Sequence, residues 1–224
     1  MGLRPIASAD DGTLSVPGAT GLTDVQVRRY SRQILLRSVG GRGQEALLST
    51  GARAAGSGPT IATTAAYLAA GGTPTWMTSG RVEESQVGFV FDRSDVGSAA
   101  PAVLQHALDG LNSDAAHPVV RAGQVSELPA VFEVTDPWIA LGSDGPKGVC
   151  VLRSSAGCVD CFRAWTQPLQ APPIGPLSVT LGSLAALVFQ RSVLGMEAAT
   201  LRGWLLSPQG ELTAYEGERC QRCR

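Results

Sequence analysis

Two Cys-x-x-Cys pairs constrain the possible fold of this sequence more than any other feature. CVDC supplies Cys158 and Cys161, CQRC supplies Cys220 and Cys223, and 58 residues separate Cys161 from Cys220. Each pair places two thiolates on one tight turn, and two such turns complete the tetrahedron of a structural zinc ion with no open position. The ion would tether the C-terminal tail to the body of the domain. Two disulfides or unmodified thiols are the alternatives, and a redox role is disfavoured because neither pair follows a thioredoxin-like strand.

The fifth cysteine, Cys150, lies within the apolar run GVCVL. A cysteine in such a run is typical of a buried core position. A reactive thiol is the alternative interpretation.

A strand, a glycine turn and a helix follow one another after the first quarter of the chain. Residues 52–55 have the pattern of a short strand, Gly56-Ser57-Gly58 that of a tight turn, and 61–70 that of a helix. This order opens a dinucleotide-type βαβ unit, in which glycines allow the backbone to approach a phosphate. Because strand and helix patterns go on alternating, we predict an α/β fold: a Rossmann-like layered sheet with flanking helices and a C-terminal zinc-tethered hairpin.

The other elements follow from local patterns. Residues 1–22 predict a flexible N-terminal arm, and a single domain with a zinc-binding C-terminal part is predicted over 23–224. Thr23 and Gln26 form a capping box for a helix over 24–39 that the glycines from Gly40 end, with a short helix over 44–50 after it. Later predictions are a strand over 87–91, a helix over 100–111, apolar runs at 131–134 and 138–141, a strand over 148–155, a helix over 178–194, and a hairpin over 201–216 that turns at 208–210.

Charge and hydropathy exclude some classes of partner. The chain has 18 basic and 19 acidic residues, so its net charge of −1 gives no electrostatic basis for binding nucleic acid. The N-terminus carries acidic residues and no apolar core, and the apolar run over 177–194 is interrupted by polar residues. We therefore expect a cytoplasmic protein without a membrane or nucleic-acid partner. Lys147 is the single lysine among the basic residues, so any chemistry that needs a lysine depends on it.

Several of these segments together resemble the ThiF/MoeB/HesA family, the bacterial relatives of ubiquitin-activating E1 enzymes. The matching segments are RYSRQILL, the glycine turn before AAYLAAGGT, GCVDC, IGPLSVTLGSLAALVFQRSVLG and the terminal CQRC. The resemblance covers roughly residues 24–72 and 148–224. It implies a homodimeric or heterodimeric α/β protein, whose relatives use Mg-ATP to adenylate the C-terminal glycine of a ubiquitin-like or sulfur-carrier protein.

The resemblance also implies a nucleotide site, and the sequence departs from the family there. Gly56 and Gly58 match the first two glycines of the phosphate loop, whereas Ile61 stands at the third. Ser79-Gly80 falls where the next strand should end in a ribose-binding acid, and Ser98 to Ala100 fall where the family lysine should be. A β-branched residue at the close helix–strand contact disturbs the approach of a phosphate. We therefore predict a degenerate ATP site, with ATP and magnesium doubtful as cofactors.

Two further positions carry the family pattern in part. Thr135-Asp136 resembles the family's Thr-Asp-Asn, in which the aspartate binds magnesium, but Pro137 replaces the asparagine and a plain turn residue is the alternative. In RYSRQ, Arg32 matches the arginine that reaches from the N-terminal helix into the partner subunit's ATP site. A surface arginine on an amphipathic helix is the alternative there. The interval between Cys161 and the 178–194 helix has no cysteine to match the family's crossover cysteine.

Three hypotheses about function follow from these residues. The first is a non-catalytic or partner-dependent E1-like subunit, which pairs with an E1-like protein and serves a ubiquitin-like or sulfur-carrier protein or a peptide. The second is an active adenylyltransferase of the same family with a relocated set of residues, Lys147, Asp136 and Asp144. The third is a structural zinc module without E1-related partners.

Overall fold

The chain forms two compact units, Met1–Glu45 and Ala46–Arg224. The computed structural model describes residues 21–56, 58–78, 80–88, 90–116, 121–128, 137–154, 158–173, 175–197 and 201–216. The predicted flexible arm lies almost entirely outside these residues. Its flexibility and the domain boundary after residue 22 therefore stay predictions.

The first unit begins with two short helices, α1 (Asp24–Arg29) and α2 (Ser31–Ile34). The predicted capping box at the start of α1 is confirmed. Gln26 N donates to the Thr23 hydroxyl at 3.3 Å, and Thr23 N donates to Gln26 Oε1 at 3.0 Å. These bonds satisfy two donors at the helix N-terminus that have no partner within the helix.

The prediction of a single helix over 24–39 is wrong. Tyr30 has φ −97° and ψ 13° between α1 and α2, so the regular helix is interrupted there, and the chain turns after Ile34. The glycines predicted to end that helix instead open α3 (Gly40–Ser49), which includes residues 44–49 of the shorter helix predicted over 44–50, whereas Thr50 already belongs to a strand. Gly40 has φ +61°, a left-handed conformation that glycine adopts at little cost and that turns the chain into α3.

The second unit is a layered α/β structure, in agreement with the predicted fold class. Its elements are, in chain order, β1 (Thr50–Ala55), α4 (Pro59–Ala70), β2 (Thr75–Met77), α5 (Ala100–Leu111), β3 (Arg121–Glu127), β4 (Trp138–Asp144), β5 (Lys147–Arg153), α6 (Val159–Thr166), α7 (Pro176–Val193), β6 (Leu201–Leu206) and β7 (Leu212–Glu216). Short 3-10 turns lie at Glu84–Gln86, Arg93–Asp95 and Ser113–Ala116.

The seven strands form one sheet in the order β2-β1-β3-β4-β5-β6-β7. Neighbouring strands from β2 to β4 in this order are parallel. Neighbouring strands from β4 to β7 are antiparallel. The predicted C-terminal hairpin is confirmed as β6 and β7, with Arg202 opposite Glu216 at its open end and Leu206 opposite Leu212 near the turn. The zinc tether of this hairpin involves residues outside the described part of the chain and stays a prediction.

Apolar side chains cover both faces of the sheet, because successive residues of a strand point to opposite sides. In β4, Ile139 and Leu141 join the larger core with residues of α4, α5 and α7. Trp138 and Ala140 instead join a second core with Phe162 of α6. The sheet is therefore buried between helices on both sides, which is why β4 is apolar nearly throughout rather than alternating.

Two strand predictions differ from the structure. Those residues of 87–91 that the structure describes form no strand: Val87 and Phe91 make an isolated bridge, and Gly88 between them has φ +109°. Conversely, β3 was not predicted, because in RAGQVSE a single valine is the one large apolar residue. The apolar run predicted at 131–134 lies outside the described residues.

Candidate functional site

The carboxyl ends of β1 and β3 meet at the point where the strand order reverses. The chain passes from β1 through α4 to β2 on one side of β1, and then through α5 to β3 on the other side. Ala55 is paired with Ser126, so the residues that follow them, Gly56 and Glu127, come next to each other. In open α/β sheets such a switch point opens a crevice at the strand ends, and ligands bind there.

The predicted glycine turn lies in this crevice. Gly56 has φ +141°, a conformation that residues with a side chain rarely adopt. Gly58 is the N-cap of α4, and Pro59 occupies the first helical position, where its missing N–H is no loss. The structure therefore places Gly56 and Gly58 as predicted, between a strand and a helix N-terminus whose free N–H groups favour an anion.

Glu127 supplies that anion from within the chain. Its Oε2 accepts a hydrogen bond from Gly58 N at 2.8 Å, and its Oε1 accepts one from Ile61 N at 3.1 Å. A methyl carbon built on Gly56 would lie 2.5 Å from Oε2, and one built on Gly58 would lie 2.5 Å from Oε1. Both glycines are therefore required for the carboxylate to fit, since a Cβ at either position would overlap it.

Sequence reasoning missed Glu127 because it missed β3. A strand was due after α5 in an alternating βαβ order, and an acidic residue at its carboxyl end would have faced the glycine turn. The alternating order of strands and helices was therefore the one sequence signal that could have indicated β3 and the acid at its end. The hydrogen bonds themselves join residues 66 and 69 positions apart, which no local pattern reports.

The described residues around the loop keep the predicted departures from the family pattern. Ile61 is fully buried in the larger core, where the family has its third glycine. Thr78 and Gly80 are the described residues directly after β2, and neither is an acid, while Ser79 lies outside the described part. Ala99 and Ala100 begin α5 where the resemblance requires a lysine.

The relocated set of the alternative hypothesis lies partly at the same sheet edge. Asp144 ends β4 and Lys147 begins β5, and the two are paired across the turn that joins these strands. Leu141 is opposite Glu127, so Asp144 stands three residues, about 10 Å, further along the strand direction. Both side chains are exposed. Asp136 lies outside the described residues, so the structure does not bring the three together.

The first cysteine pair lies at the start of α6. Cys158 is the N-cap of this helix and Cys161 is buried in its first turn. Trp165 of α6 stacks on Tyr215 of β7, with ring centroids 5.0 Å apart. Cys220 and Cys223 follow β7 outside the described residues, and within the described part no three His, Cys, Asp or Glu side chains are grouped to hold a metal.

The remaining candidates lie elsewhere. Cys150 is fully buried in β5, and this burial strongly raises the pKa of its thiol. This is the environment of an inert core cysteine, as predicted. Arg32 belongs to α2 of the first unit and its side chain is exposed.

Two surface grooves meet at Tyr67. One, about 490 Å³, runs between α7 and the β6–β7 hairpin, and the other, about 330 Å³, runs between α4 and α5. The residues that line them include no charged side chain. Because a catalytic pocket needs converging polar groups, neither groove is the candidate active site.

Solved structures with this fold include MccB from E. coli and PaaA. The structure titled MccB with MccA-N7isoASN matches with a TM-score of 0.68 at 15% identity, over 93% of this chain and 77% of that one. MccB with ATP matches with a TM-score of 0.66 at 16% identity, over 87% and 74%. PaaA matches with a TM-score of 0.62 at 15% identity, over 88% and 84%. The chain has the MccB fold.

At these identities the likeness establishes the fold alone. The sequence matches no protein-family model and no curated protein. MccB is itself E1-like, of the ThiF/MoeB kind that the sequence motifs resemble, so the fold agrees with that resemblance. Within the described part of the chain, every helix is too short or too polar to cross a membrane.

Proposed function

We propose that this chain is a ThiF/MoeB-type, E1-like protein that does not bind ATP by itself. In this proposal it acts as a non-catalytic or partner-dependent subunit in the activation of a ubiquitin-like or sulfur-carrier protein, or of a peptide. The observation that carries the proposal is the Glu127 carboxylate on the amides of Gly58 and Ile61. A phosphate would need the same two donors, and two anions cannot share them.

The test is ATP–pyrophosphate exchange together with calorimetric titration of Mg-ATP into the purified chain. We expect no exchange and no binding in the micromolar range. Micromolar binding of Mg-ATP would overturn the proposal, because the phosphate position would then be accessible. Structures of MccB have been solved with ATP and, separately, with MccA, a peptide substrate of that protein, so a peptide is included among the partners to be tested.

In a partner-dependent protein, Arg32 has a function of its own. In this proposal the arginine enters the ATP site of an E1-like partner and neutralises charge there, as an arginine finger does. Its exposed position on a short helix supports this role. Arg32→Ala should reduce exchange by a catalytically intact partner by about tenfold or more. Arg37→Ala, which removes the same charge from another exposed position of this unit, should leave exchange unchanged; equal losses in both variants would contradict the role.

Zinc remains a proposal on the same scaffold. Strands β5 and β7 end at the same edge of the sheet, since both pair antiparallel with β6. Cys158 follows β5, Cys220 follows β7, and the Trp165–Tyr215 stack holds α6 beside β7. We propose a structural ion on Cys158, Cys161, Cys220 and Cys223. Metal analysis should give about one zinc per chain, and Cys220→Ser should lose it and destabilise the fold by several kcal/mol.

An active adenylyltransferase is the second candidate, favoured by one observation. Lys147 and Asp144 lie at the same sheet edge as the glycine loop, so a lysine and a carboxylate are available on that side. If the wild-type chain does catalyse exchange, Lys147→Ala should abolish it. Exchange that survives this substitution would exclude the relocated set.

A further inference from the structure

The residues of the glycine loop do not fit the nucleotide that the fold implies. A helix of twelve residues, α4, presents its N-terminal amides to the crevice, and Pro59 has no N–H to offer. Gly58 has no side chain to cap the helix, so the cap comes from β3 in the form of Glu127. The carboxylate has the charge and the acceptor geometry of a phosphate oxygen pair. Both of its oxygens are engaged, one by Gly58 and one by Ile61.

The Glu127 side chain occupies the space beside the two glycines as well as the two N–H donors at the N-terminus of α4. The positions that a Cβ on Gly56 or Gly58 would occupy are 2.5 Å from the carboxylate oxygens. The opening left by the two glycines is thus filled by Glu127. A phosphate could enter that opening after the carboxylate had left it.

We infer that Glu127 is an internal ligand that occupies the phosphate position formed by Gly56, Gly58 and the N-terminus of α4. This inference deepens the proposed function and rests on it: the chain does not bind ATP because one side chain occupies the anion site. The loop geometry, the helix N-terminus and both glycines are retained. Removing the carboxylate therefore re-creates a position for a phosphate-class oxyanion. Because neither Thr78 nor Gly80, the described residues directly after β2, is an acid that could bind a ribose, the regained binding should not require a nucleoside.

The experiment titrates sodium tripolyphosphate into Glu127→Ala by calorimetry. This variant should bind at least about tenfold more tightly than the wild type, because two charge-assisted hydrogen bonds become available to the added anion. Adding Gly58→Ala to it should remove the gain, since the new Cβ occupies the place of the lost oxygen. Glu211→Ala removes the same charge from the exposed hairpin turn and should show no gain.

The outcomes separate this inference from the proposed function. A folded Glu127→Ala that binds no tripolyphosphate overturns the inference and leaves the proposed function standing. Wild-type chain that binds Mg-ATP overturns both. If Glu127→Ala does not fold, Glu127→Ser takes its place, because the short hydroxyl side chain leaves the opening and lacks the charge. A measurable gain in Glu127→Ser then supports the inference, and no gain contradicts it.

Discussion

The close approach of α4 and α7 gives a prediction that can be worked out from distances. Gly182 of α7 faces α4, and the Thr64 hydroxyl of α4 donates to Gly182 O at 3.1 Å. A Cβ at Gly182 would lie 2.6 Å from Thr60 O and 2.8 Å from Thr63 Cβ. Ordinary van der Waals contacts lie at 3.4–4 Å, and neither atom can rotate away. Gly182→Ala must therefore push the two helices apart by most of an ångström.

The magnitude follows from three effects. Alanine favours a helix over glycine by about 1 kcal/mol. Overpacking costs about 1–3 kcal/mol, and the strained Thr64 hydrogen bond costs up to about 1 kcal/mol more. The net loss of stability is therefore about 0–3 kcal/mol.

Gly110 in α5 is the matched control. A Cβ built there meets nothing within 4 Å, so Gly110→Ala keeps the propensity gain without the overlap and should be more stable by about 0.5–1 kcal/mol. Urea unfolding followed by far-UV circular dichroism measures both variants. Because the propensity gain is common to both variants, their free energies of unfolding should differ by the overpacking and hydrogen-bond costs alone, about 1–4 kcal/mol. Equal stability of the two variants would refute the tight α4–α7 contact.

Three further predictions concern buried polar and titratable groups. Cys150 should resist a thiol reagent in the native protein and react once urea unfolds it, because burial raises the pKa of its thiol; labelling of native Cys150 would contradict this. Asn112→Ala should cost about 1–3 kcal/mol, since the buried amide donates to Ala69 O at 2.7 Å and its loss leaves that carbonyl without this donor; urea midpoints measure the effect. Burial also raises the pKa of Tyr215 above its ordinary 10.0, so the folded state keeps a proton that the unfolded state loses. Stability should therefore fall as pH rises above 10, and Tyr215→Phe should remove that part of the fall.

Elements with strong apolar periodicity were predictable from the sequence. The helix over 100–111 is α5 with the predicted bounds, and the helix over 178–194 is α7 with a start two residues earlier. In both cases a proline stands in the first helical turn, where it fixes the start. The hairpin followed from alternating residues around a Pro-Gln-Gly turn, and the antiparallel pairing confirms it.

The candidate site was predictable in part. Gly56 and Gly58 were found because a strand–glycine–helix order is local. Glu127 was not, because β3 reads as polar: Gln124 and Ser126 are buried within it although their side chains are hydrophilic. Trp138 Nε1 donates to the Ser126 hydroxyl at 2.9 Å, which shows how tertiary contacts satisfy such residues in a strand. Contacts of this kind are absent from any local sequence window.

The carboxylate in the glycine loop changes how this fold responds to its surroundings. A ligand carried by the same chain is present at an effective concentration of about millimolar or higher that dilution cannot lower. A protein stabilised by dissolved nucleotide gains or loses stability as the nucleotide level changes. Here the Gly58 and Ile61 N–H groups in the crevice between β1 and β3 already have a hydrogen-bond acceptor in Glu127. The stability of the folded state should therefore be the same at low and at high concentrations of nucleotide in the cell.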